Sequence, residues 1–245
     1  MGLRVNERNG EFFSAETERQ LDERVTNTAR RHGIEVPGLD QAFWEQRWES
    51  VRRTTKGRSA VPNWTLTGAA EQLPPGVALD AGCGEGSDAI WLASHGWMVS
   101  AVDFIASALQ CGRVHAERTG AEVARRINWE HADLSVWVPP EGAFDLVSAH
   151  YLHGISQREV LFRRLAAAVR PGGALLIVGH HPSNADIAGG QMPEAVFFST
   201  ADVVKVLDES WSLVTVDDNV PQREITDHDG RLRTLRSALV WAQRL

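Results

Sequence analysis

The residues with the clearest chemical potential form a glycine-rich turn between Asp80 and Asp88, with glycines at 82, 84 and 86. A short apolar run ends at Asp80 and a helical pattern starts at Asp88, so this stretch predicts a strand, a turn and a helix. In open parallel sheets that arrangement presents a nucleotide ligand at the carboxyl edge. Glycine suits such a turn because it accepts positive φ angles and lets a ligand approach the backbone closely.

The charge of this turn indicates which ligand it would accept. A dinucleotide-binding turn has the spacing G-x-G-x-x-G and holds a pyrophosphate at the helix N-terminus. Here the spacing is G-x-G-x-G, and Glu85 and Asp88 stand where the phosphates would lie. Both acids suit the positive end of the helix dipole, but they would repel a pyrophosphate. The pattern therefore favours a phosphate-free cation, and S-adenosylmethionine, with its ammonium and sulfonium, is such a ligand.

The rest of the chain must position this turn. From Val77 onwards apolar runs alternate with helical patterns, which predicts right-handed crossovers and a parallel sheet. The unbroken apolar run 174–179 is typical of a strand inside a covered sheet. A capping box at 156–159 predicts a helix that Pro171 and two glycines end. Further predictions are a helix that Thr200 caps and that extends to 207, and two closing strands, 211–216 and 235–242.

Three further stretches follow the glycine turn in a fixed order: Val99–Asp103, His131–Leu134, and Phe144–Val147 with Arg170–Ile177. Together with the turn they resemble the motifs of class I (Rossmann-like) S-adenosylmethionine-dependent methyltransferases, over roughly residues 66–181. Within that class the stretches are most similar to the small-molecule branch with thiopurine- and tellurite-methyltransferase-like proteins. The resemblance implies an α/β fold with a doubly wound, seven-stranded, mostly parallel sheet. Its strand order would be 3-2-1-4-5-7-6, with the last strand antiparallel.

We expect residues 1–65 to form an N-terminal helical extension and residues 66–245 to form the Rossmann-like domain. In the extension, the spacing of Trp44, Trp48 and Val51 is helical. One interpretation is a helix that packs its aromatic side chains on the core. The other is a lid in which Trp44, Arg47 and Trp48 face the cofactor or the substrate, and the resemblance favours this second interpretation.

The resemblance also implies the cofactor contacts. Asp103, at the end of the second strand, would accept hydrogen bonds from the ribose hydroxyls, and Asp80 would anchor the ammonium. Asp133 and the Leu134 amide would bind the adenine. Asp103 could instead be an ordinary residue at the end of a strand, and Asp133 an ordinary turn residue. The full predicted set is Asp80, Gly82, Cys83, Gly84, Gly86, Asp103, Phe104, Ala132, Asp133, Leu134 and His150.

Histidines near the expected ends of the fourth and fifth strands are the candidates for catalysis. Methyl transfer from a sulfonium is an in-line displacement, so alignment can supply much of the acceleration. A general base is needed only if the acceptor loses a proton, and His150, His153 and His181 are the candidates. These histidines could instead be structural, or could form a zinc site with His180. No carboxylate or cysteine completes such a site in the sequence, so we predict no metal.

Composition limits the class of partner. The chain has 245 residues, enough for one α/β domain with additions, and a formal net charge of −7, which argues against a nucleic-acid partner. Its two cysteines do not form a disulfide framework, and no signal peptide or membrane-spanning run is visible. We therefore expect a cytoplasmic monomer or small homo-oligomer, with no membrane partner. The nine tryptophans favour an aromatic-lined pocket for a small molecule.

These observations predict a methyltransferase that uses S-adenosylmethionine and acts on O, N or S of a small molecule, such as a hydroxylated or heteroaromatic ring. One alternative is a protein that binds this cofactor without catalysis. Another is a nucleic-acid methyltransferase, which the charge and the sequence 148–151 disfavour, since Ser-Ala-His-Tyr replaces an Asn-Pro-Pro-Tyr-type motif. A third is a nicotinamide oxidoreductase, which the acidic turn disfavours.

Overall fold

The computed structural model describes residues 61–152, 157–185, 187, 196–226 and 230–245. The expectations for the N-terminal extension, including Trp44, Arg47 and Trp48, lie outside these described residues. The same holds for His153 and for Ser156 of the expected capping box.

Seven strands form one sheet in the order β3-β2-β1-β4-β5-β7-β6. Strands β1 to β5 pair in parallel, and β7 is antiparallel to both of its neighbours, β5 and β6. The predicted fold class and strand order are therefore confirmed. The strands are β1 Val77–Ala81, β2 Met98–Asp103, β3 Ile127–His131, β4 Phe144–His150, β5 Val169–His180, β6 Trp211–Thr226 and β7 Leu232–Arg244.

Helices cover both faces of the sheet. Six α-helices lie in the described ranges: α1 Trp64–Ala70, α2 Ser87–Ser94, α3 Ala106–Thr119, α4 Ala121–Arg125, α5 Arg158–Ala168 and α6 Thr200–Val204. On one face, Leu66 of α1 and Leu92 of α2 pack with Leu146 of β4. On the other face, Phe162 of α5 packs with Val147 of β4. None of the helices in these ranges combines the length and apolar character needed to cross a lipid bilayer.

Strand register brings polar residues to the carboxyl edge of the sheet. Successive side chains of a strand point to opposite faces, so Asp80 shares a face with Ala78, on the α1 and α2 side. Its register partner in β4 is Ser148, and His150 follows two residues later on the same face. Asp103 ends β2 beside His131 of β3. Asp80, Asp103 and His150 therefore lie along one edge.

The structure corrects the expected end of the helix that precedes β5. Helix α5 ends at Ala168, and β5 begins at Val169, which pairs with Phe144. We predicted that Pro171 and the two glycines would end the helix. Val169 is β-branched and fully buried, so its side chain could belong to the buried face of a helix or to a strand. Its pairing with Phe144 places it in the strand.

The closing elements also differ from the prediction in length. Strands β6 and β7 extend well beyond the predicted runs, and α6 ends at Val204 rather than at 207. The added part of β6 is mostly exposed and polar, so it has no apolar alternation to reveal it. Pairing with β7, interrupted by register shifts, holds it in the sheet. The cap of α6 is Ser199, which forms a capping box with Asp202.

Candidate cofactor and acceptor site

The glycine turn has the backbone conformation that requires glycine. The φ angles of Gly82, Gly84 and Gly86 are +76°, +54° and +72°, in the left-handed region. A Cβ atom on Gly82 would lie 2.2 Å from the side chain of Leu152, whereas one on Gly84 would meet no atom within 4 Å. Leu152 therefore closes one side of the turn, and the space over Gly84 is open for a ligand.

Three carboxylates lie buried around this turn: Asp80, Asp88 and Asp103 are only 3%, 5% and 6% exposed. Oδ2 of Asp80 has no hydrogen-bond partner among the described residues. Burial, followed by the charges of Asp88 and Asp103, raises the pKa of Asp80 well above its usual value, although the Ala89 amide opposes this. The site thus concentrates negative charge and leaves one buried oxygen unsatisfied, which is costly without a positive partner.

Asp103 occupies the position predicted for it. Its Oδ2 accepts a hydrogen bond from the Gly84 amide and its Oδ1 accepts one from the Ile105 amide, both at 2.8 Å. Burial raises the pKa of Asp103 despite these backbone hydrogen bonds. Each oxygen keeps a further lone pair for a ligand hydroxyl. The carboxylate therefore ties β2 to the glycine turn and remains able to bind.

The structure gives Asp88 a role that the sequence did not reveal. Its carboxylate accepts hydrogen bonds from the Asn63 amide at 2.7 Å and from Asn63 Nδ2 at 2.8 Å. Asn63 directly precedes α1. Asp88 thus fixes the start of α1 to the start of α2. An asparagine before a helical run was the only signal in the sequence, and it indicates a cap rather than this long-range contact.

His150 is also engaged with α1. Its Nε2 lies 2.9 Å from Oγ1 of Thr65, and both residues are 9% exposed. Its Nδ1 lies 3.5 Å from Oδ2 of Asp88 and has no hydrogen-bond partner among the described residues. Burial lowers the pKa of His150, and Asp88 only partly opposes this shift. The structure therefore places a neutral, buried imidazole beneath α1, next to the acidic turn.

The other histidines lie in different surroundings. Nδ1 of His181 accepts a hydrogen bond from the Ser183 amide, at the start of a short 3₁₀ turn, and its Nε2 lies 3.7 Å from Asp218. The ring of His180 packs against Tyr151, with centroids 4.9 Å apart, and burial together with Arg223 lowers its pKa to about 4. Across the part of the chain that the structure describes, no three His, Cys, Asp or Glu side chains are grouped to hold a metal ion.

The predicted adenine-binding residues follow β3, next to Asp103. The Ala132 amide donates to the Asp103 carbonyl, and Oδ1 of Asp133 accepts from the Ser135 amide. Leu134 is 7% exposed and approaches the glycine turn. The carbonyl of Phe104 lies 2.9 Å from Nε2 of His131. These predicted residues and the turn thus surround the ends of β1, β2 and β3.

A small apolar pocket, with room for about one water molecule, lies near the turn at the ends of β4 and β5. Its walls include Leu152, Phe162 and Phe198, and Arg158 is the only charged residue that lines it in the described ranges. Leu152 is shared between this pocket and the face of Gly82. The aromatic-lined acceptor pocket that the tryptophans favour stays a prediction, because Trp44 and Trp48 lie outside the described residues.

Tyr151, directly after β4, has an unusual backbone. Its φ is +52°, the only positive φ of a non-glycine residue in the described ranges. Its amide donates to the Val178 carbonyl, and its hydroxyl lies 3.2 Å from Oγ of Ser237. Such strain persists only where the surrounding contacts impose it, and it is common at functional sites. No sequence pattern indicated this residue.

Comparison with known proteins adds an independent finding. Residues 78–173 match the family described as "Methyltransferase domain". The chain is 34% identical over 112 residues to the ribosomal RNA small subunit methyltransferase C of Alcanivorax borkumensis, covering 43% of this chain and 33% of that protein. It is 30% identical over 98 residues to the ubiquinone biosynthesis O-methyltransferase of Coxiella burnetii, covering 40% of each. The chain thus spans less than half the length of these relatives.

The fold has solved counterparts. The crystal structure of TehB from Haemophilus influenzae superposes with a TM-score of 0.60 at 16% identity, over 81% of this chain and 67% of that one. The strand order, the glycine turn and the matched residues agree with one another. Residues 78–173 are therefore similar to a methyltransferase domain, and the chain has the Rossmann-like fold of class I S-adenosylmethionine-dependent methyltransferases.

Proposed function

We propose that this protein transfers the methyl group of S-adenosylmethionine to a small-molecule acceptor. The observation that carries the proposal is Oδ2 of Asp80, which is buried with Asp88 and Asp103 around the turn and has no hydrogen-bond partner within the described ranges. A ligand ammonium would supply the positive charge that this cluster lacks. The open space over Gly84 supports the same interpretation, because a ligand can approach the backbone there.

The described residues divide the work of binding this cofactor. Asp80 would hold the ammonium, Asp103 the ribose hydroxyls, and Asp133 with Leu134 the adenine. His150 and Thr65 would hold α1 against the end of β4, since their hydrogen bond joins these two elements. The bound cofactor supplies an electrophilic methyl group on its sulfonium. The protein then contributes by orienting this methyl group toward the acceptor and by excluding water.

A general base is part of the proposal only for acceptors that lose a proton. His153, which lies outside the described residues, and His181, which follows β5, remain the candidates for that step. His150 is a weaker candidate because its Nε2 is engaged with Thr65 and burial lowers its pKa. Alignment alone would serve a thiolate or an amine acceptor.

One feature favours a small acceptor over nucleic acid: the formal net charge is −7, which disfavours a phosphate backbone. The similarity to a ubiquinone biosynthesis O-methyltransferase also favours a small-molecule acceptor. The similarity to a ribosomal RNA methyltransferase favours an RNA acceptor instead. Incubation with methyl-labelled cofactor and either a panel of phenols, thiols and N-heterocycles or ribosomal RNA separates the two. Label on RNA alone would contradict the small-molecule proposal.

The N-terminal extension is proposed as a lid. In this proposal Trp44, Arg47 and Trp48 face the cofactor or the acceptor. Removing residues 1–38 should reduce turnover of the best acceptor of that panel more strongly than it reduces the melting temperature. Full turnover by the truncated protein would contradict the lid.

A further inference from the structure

We propose that the acceptor is an aromatic anion, and that Arg223 binds its negatively charged group while Tyr151 and His180 pack against its ring. The inference rests on the proposed function and deepens it, because it gives the acceptor a charge and a direction of binding. It depends on a row of side chains at the carboxyl edge of the sheet, which runs from the glycine turn to the long β6–β7 hairpin.

Strand register places the row on one face of the sheet. Val178 packs in the core cluster on the α1 and α2 side, and His180 follows two residues later on the same face. His180 pairs with Ser237 of β7. Leu235, two residues before Ser237, pairs with Arg223 of β6. Because paired residues of antiparallel strands share a face, Arg223 lies on the same face as His180.

A series of side-chain contacts connects the row to the glycine turn. Asp88, at the start of α2, lies 3.5 Å from Nδ1 of His150. The ring centroids of His150 and Tyr151 are 6.4 Å apart, and those of Tyr151 and His180 are 4.9 Å apart. Tyr151 and His180 are only partly buried, so a ligand can reach their rings from solvent. These two rings therefore offer an accessible aromatic surface next to the turn.

The β6–β7 hairpin extends past this edge of the sheet. Strand β5 ends at His180, whereas the residues of β7 before Ser237 pair only with β6. The hairpin thus projects beyond the carboxyl edge, where ligands of open α/β sheets bind. The backbones of β4 and β6 are three strand spacings apart, about 14 Å. An acceptor with one ring and a short arm can bridge this distance, because the long side chain of Arg223 can reach towards it.

Arg223 supplies a positive charge to this end of the row. It is exposed and has no carboxylate partner among the residues that the structure describes. Burial, followed by the charge of Arg223, lowers the pKa of His180 to about 4, although a hydrogen bond with Gln222 opposes the shift. His180 is therefore neutral near pH 7, and the guanidinium of Arg223 can pair with an anion. The planar fork of a guanidinium matches a carboxylate bidentately.

The opposite charges at the two ends of the row set the direction of binding. Asp80, Asp88 and Asp103 lie around the glycine turn and repel an anionic group there. Arg223 attracts the same group at the other end. The uncharged part of the acceptor, with its reacting atom, is therefore directed towards the turn and the methyl group of the cofactor.

The experiment is a pair of calorimetric titrations on the full chain saturated with S-adenosylhomocysteine. Cinnamate and cinnamyl alcohol are the probes, because they share a ring and an arm and differ in the carboxylate. At low ionic strength the wild type should bind cinnamate about tenfold more tightly, as expected for a charge-assisted hydrogen bond. Added salt should reduce this preference, because Arg223 is exposed. Equal binding of the two probes, or no binding of either, would overturn the proposal.

Two variants in the same hairpin sharpen the test. Arg223→Gln removes the charge and should bind both probes equally. Arg236→Gln changes the net charge by the same amount, but Arg236 alternates with Ser237 and so lies on the opposite face. It is the matched control and should keep the preference for cinnamate. A preference retained in Arg223→Gln would reject the assignment of this residue. The preceding titration with S-adenosylhomocysteine tests the proposed function separately, and both variants should leave its Kd unchanged.

Discussion

Asp80 shows at the scale of one residue how function and stability conflict. Its pKa is raised well above the usual 3.8, so ionising it in the folded protein costs free energy. For a carboxyl with a raised pKa, stability is highest below the unfolded pKa and falls as pH rises towards the folded pKa. The ligand-free protein therefore loses stability over the pH range in which this carboxyl is ionised in the unfolded chain but still protonated in the folded protein.

We predict that Asp80→Asn stabilises the ligand-free protein and weakens cofactor binding. The side-chain oxygen of the new asparagine can still accept a hydrogen bond from the backbone N–H of Ala89, but the side chain carries no charge. The melting temperature at pH 7 should rise by about 2–4 °C, as expected for ~1 kcal/mol in a protein of this size. The Kd for S-adenosylhomocysteine should rise about tenfold or more. Glu141→Gln, at an exposed position, is the control and should change neither value. A lower melting temperature with unchanged affinity would contradict the assignment.

Asp103→Asn tests the ribose contact. The variant keeps one side-chain oxygen, so it can still accept one of the two backbone hydrogen bonds that connect Asp103 to Gly84 and Ile105. Hydrogen bonds to a charged group contribute about 1.5–3 kcal/mol each, so calorimetry should show at least a ~10-fold rise in the Kd for S-adenosylhomocysteine. Circular dichroism should show the same fold. An unchanged Kd would remove Asp103 from the site.

The sequence was informative about residues only where a motif fixes the local backbone. Asp80, Asp103 and the glycines could be identified because a strand, a turn and a helix follow one another without interruption. The contacts of Asn63 with Asp88 and of Thr65 with His150 join residues that are 25 and 85 positions apart. No local pattern contains such pairs. The burial of His150 follows from them, so its position at the end of a strand was visible and its surroundings were not.

At the scale of elements, the packing of α3 against the glycine turn depends on small residues. A Cβ on Gly112 would lie 2.5 Å from the ring of Trp129 and 2.9 Å from the Glu85 carbonyl. A Cβ on Gly86 would lie 2.2 Å from the same ring. Trp129 of β3 therefore fills the space that these two glycines leave, and its ring packs against the glycine turn at Gly86.

We predict that Gly112→Ala lowers the free energy of unfolding by about 1–3 kcal/mol, because overpacking forces the tryptophan or the turn to move. The double variant with Trp129→Leu should recover part of the loss, since the smaller side chain frees the space. Gly68→Ala is the matched control: it lies in α1, is exposed, and its added methyl group would meet no atom within 4 Å. It should stabilise the protein by up to ~1 kcal/mol. Chemical denaturation gives the free energy of unfolding of each of the three variants. Equal changes for the two single glycine variants would contradict this packing.

Element boundaries show where tertiary structure overrides local pattern. Val169 continues the helical spacing of α5 but belongs to β5, because Phe144 pairs with it. The second half of β6 is exposed and polar, so only its pairing with β7 makes it a strand. The order of the strands, by contrast, could be predicted, because the motifs resemble those of a known family and follow one another in the same order.

At the scale of the whole molecule, the proposed function depends on one electrostatic property of the carboxyl edge. The chain has a net negative charge, and its buried carboxylates lie around the turn that would hold the cofactor. Such a site disfavours phosphorylated nucleotides and favours a ligand with an ammonium and no phosphate. The acceptor, the lid and the role of the histidines all depend on that preference.

A calorimetric titration of the full chain with S-adenosylhomocysteine and, separately, with NAD⁺ tests this preference most directly. We predict one-to-one binding of S-adenosylhomocysteine and, at the same concentrations, no measurable binding of NAD⁺. Tighter binding of NAD⁺ would contradict the proposed function, because a buried cluster of carboxylates could not then be the feature that selects the ligand.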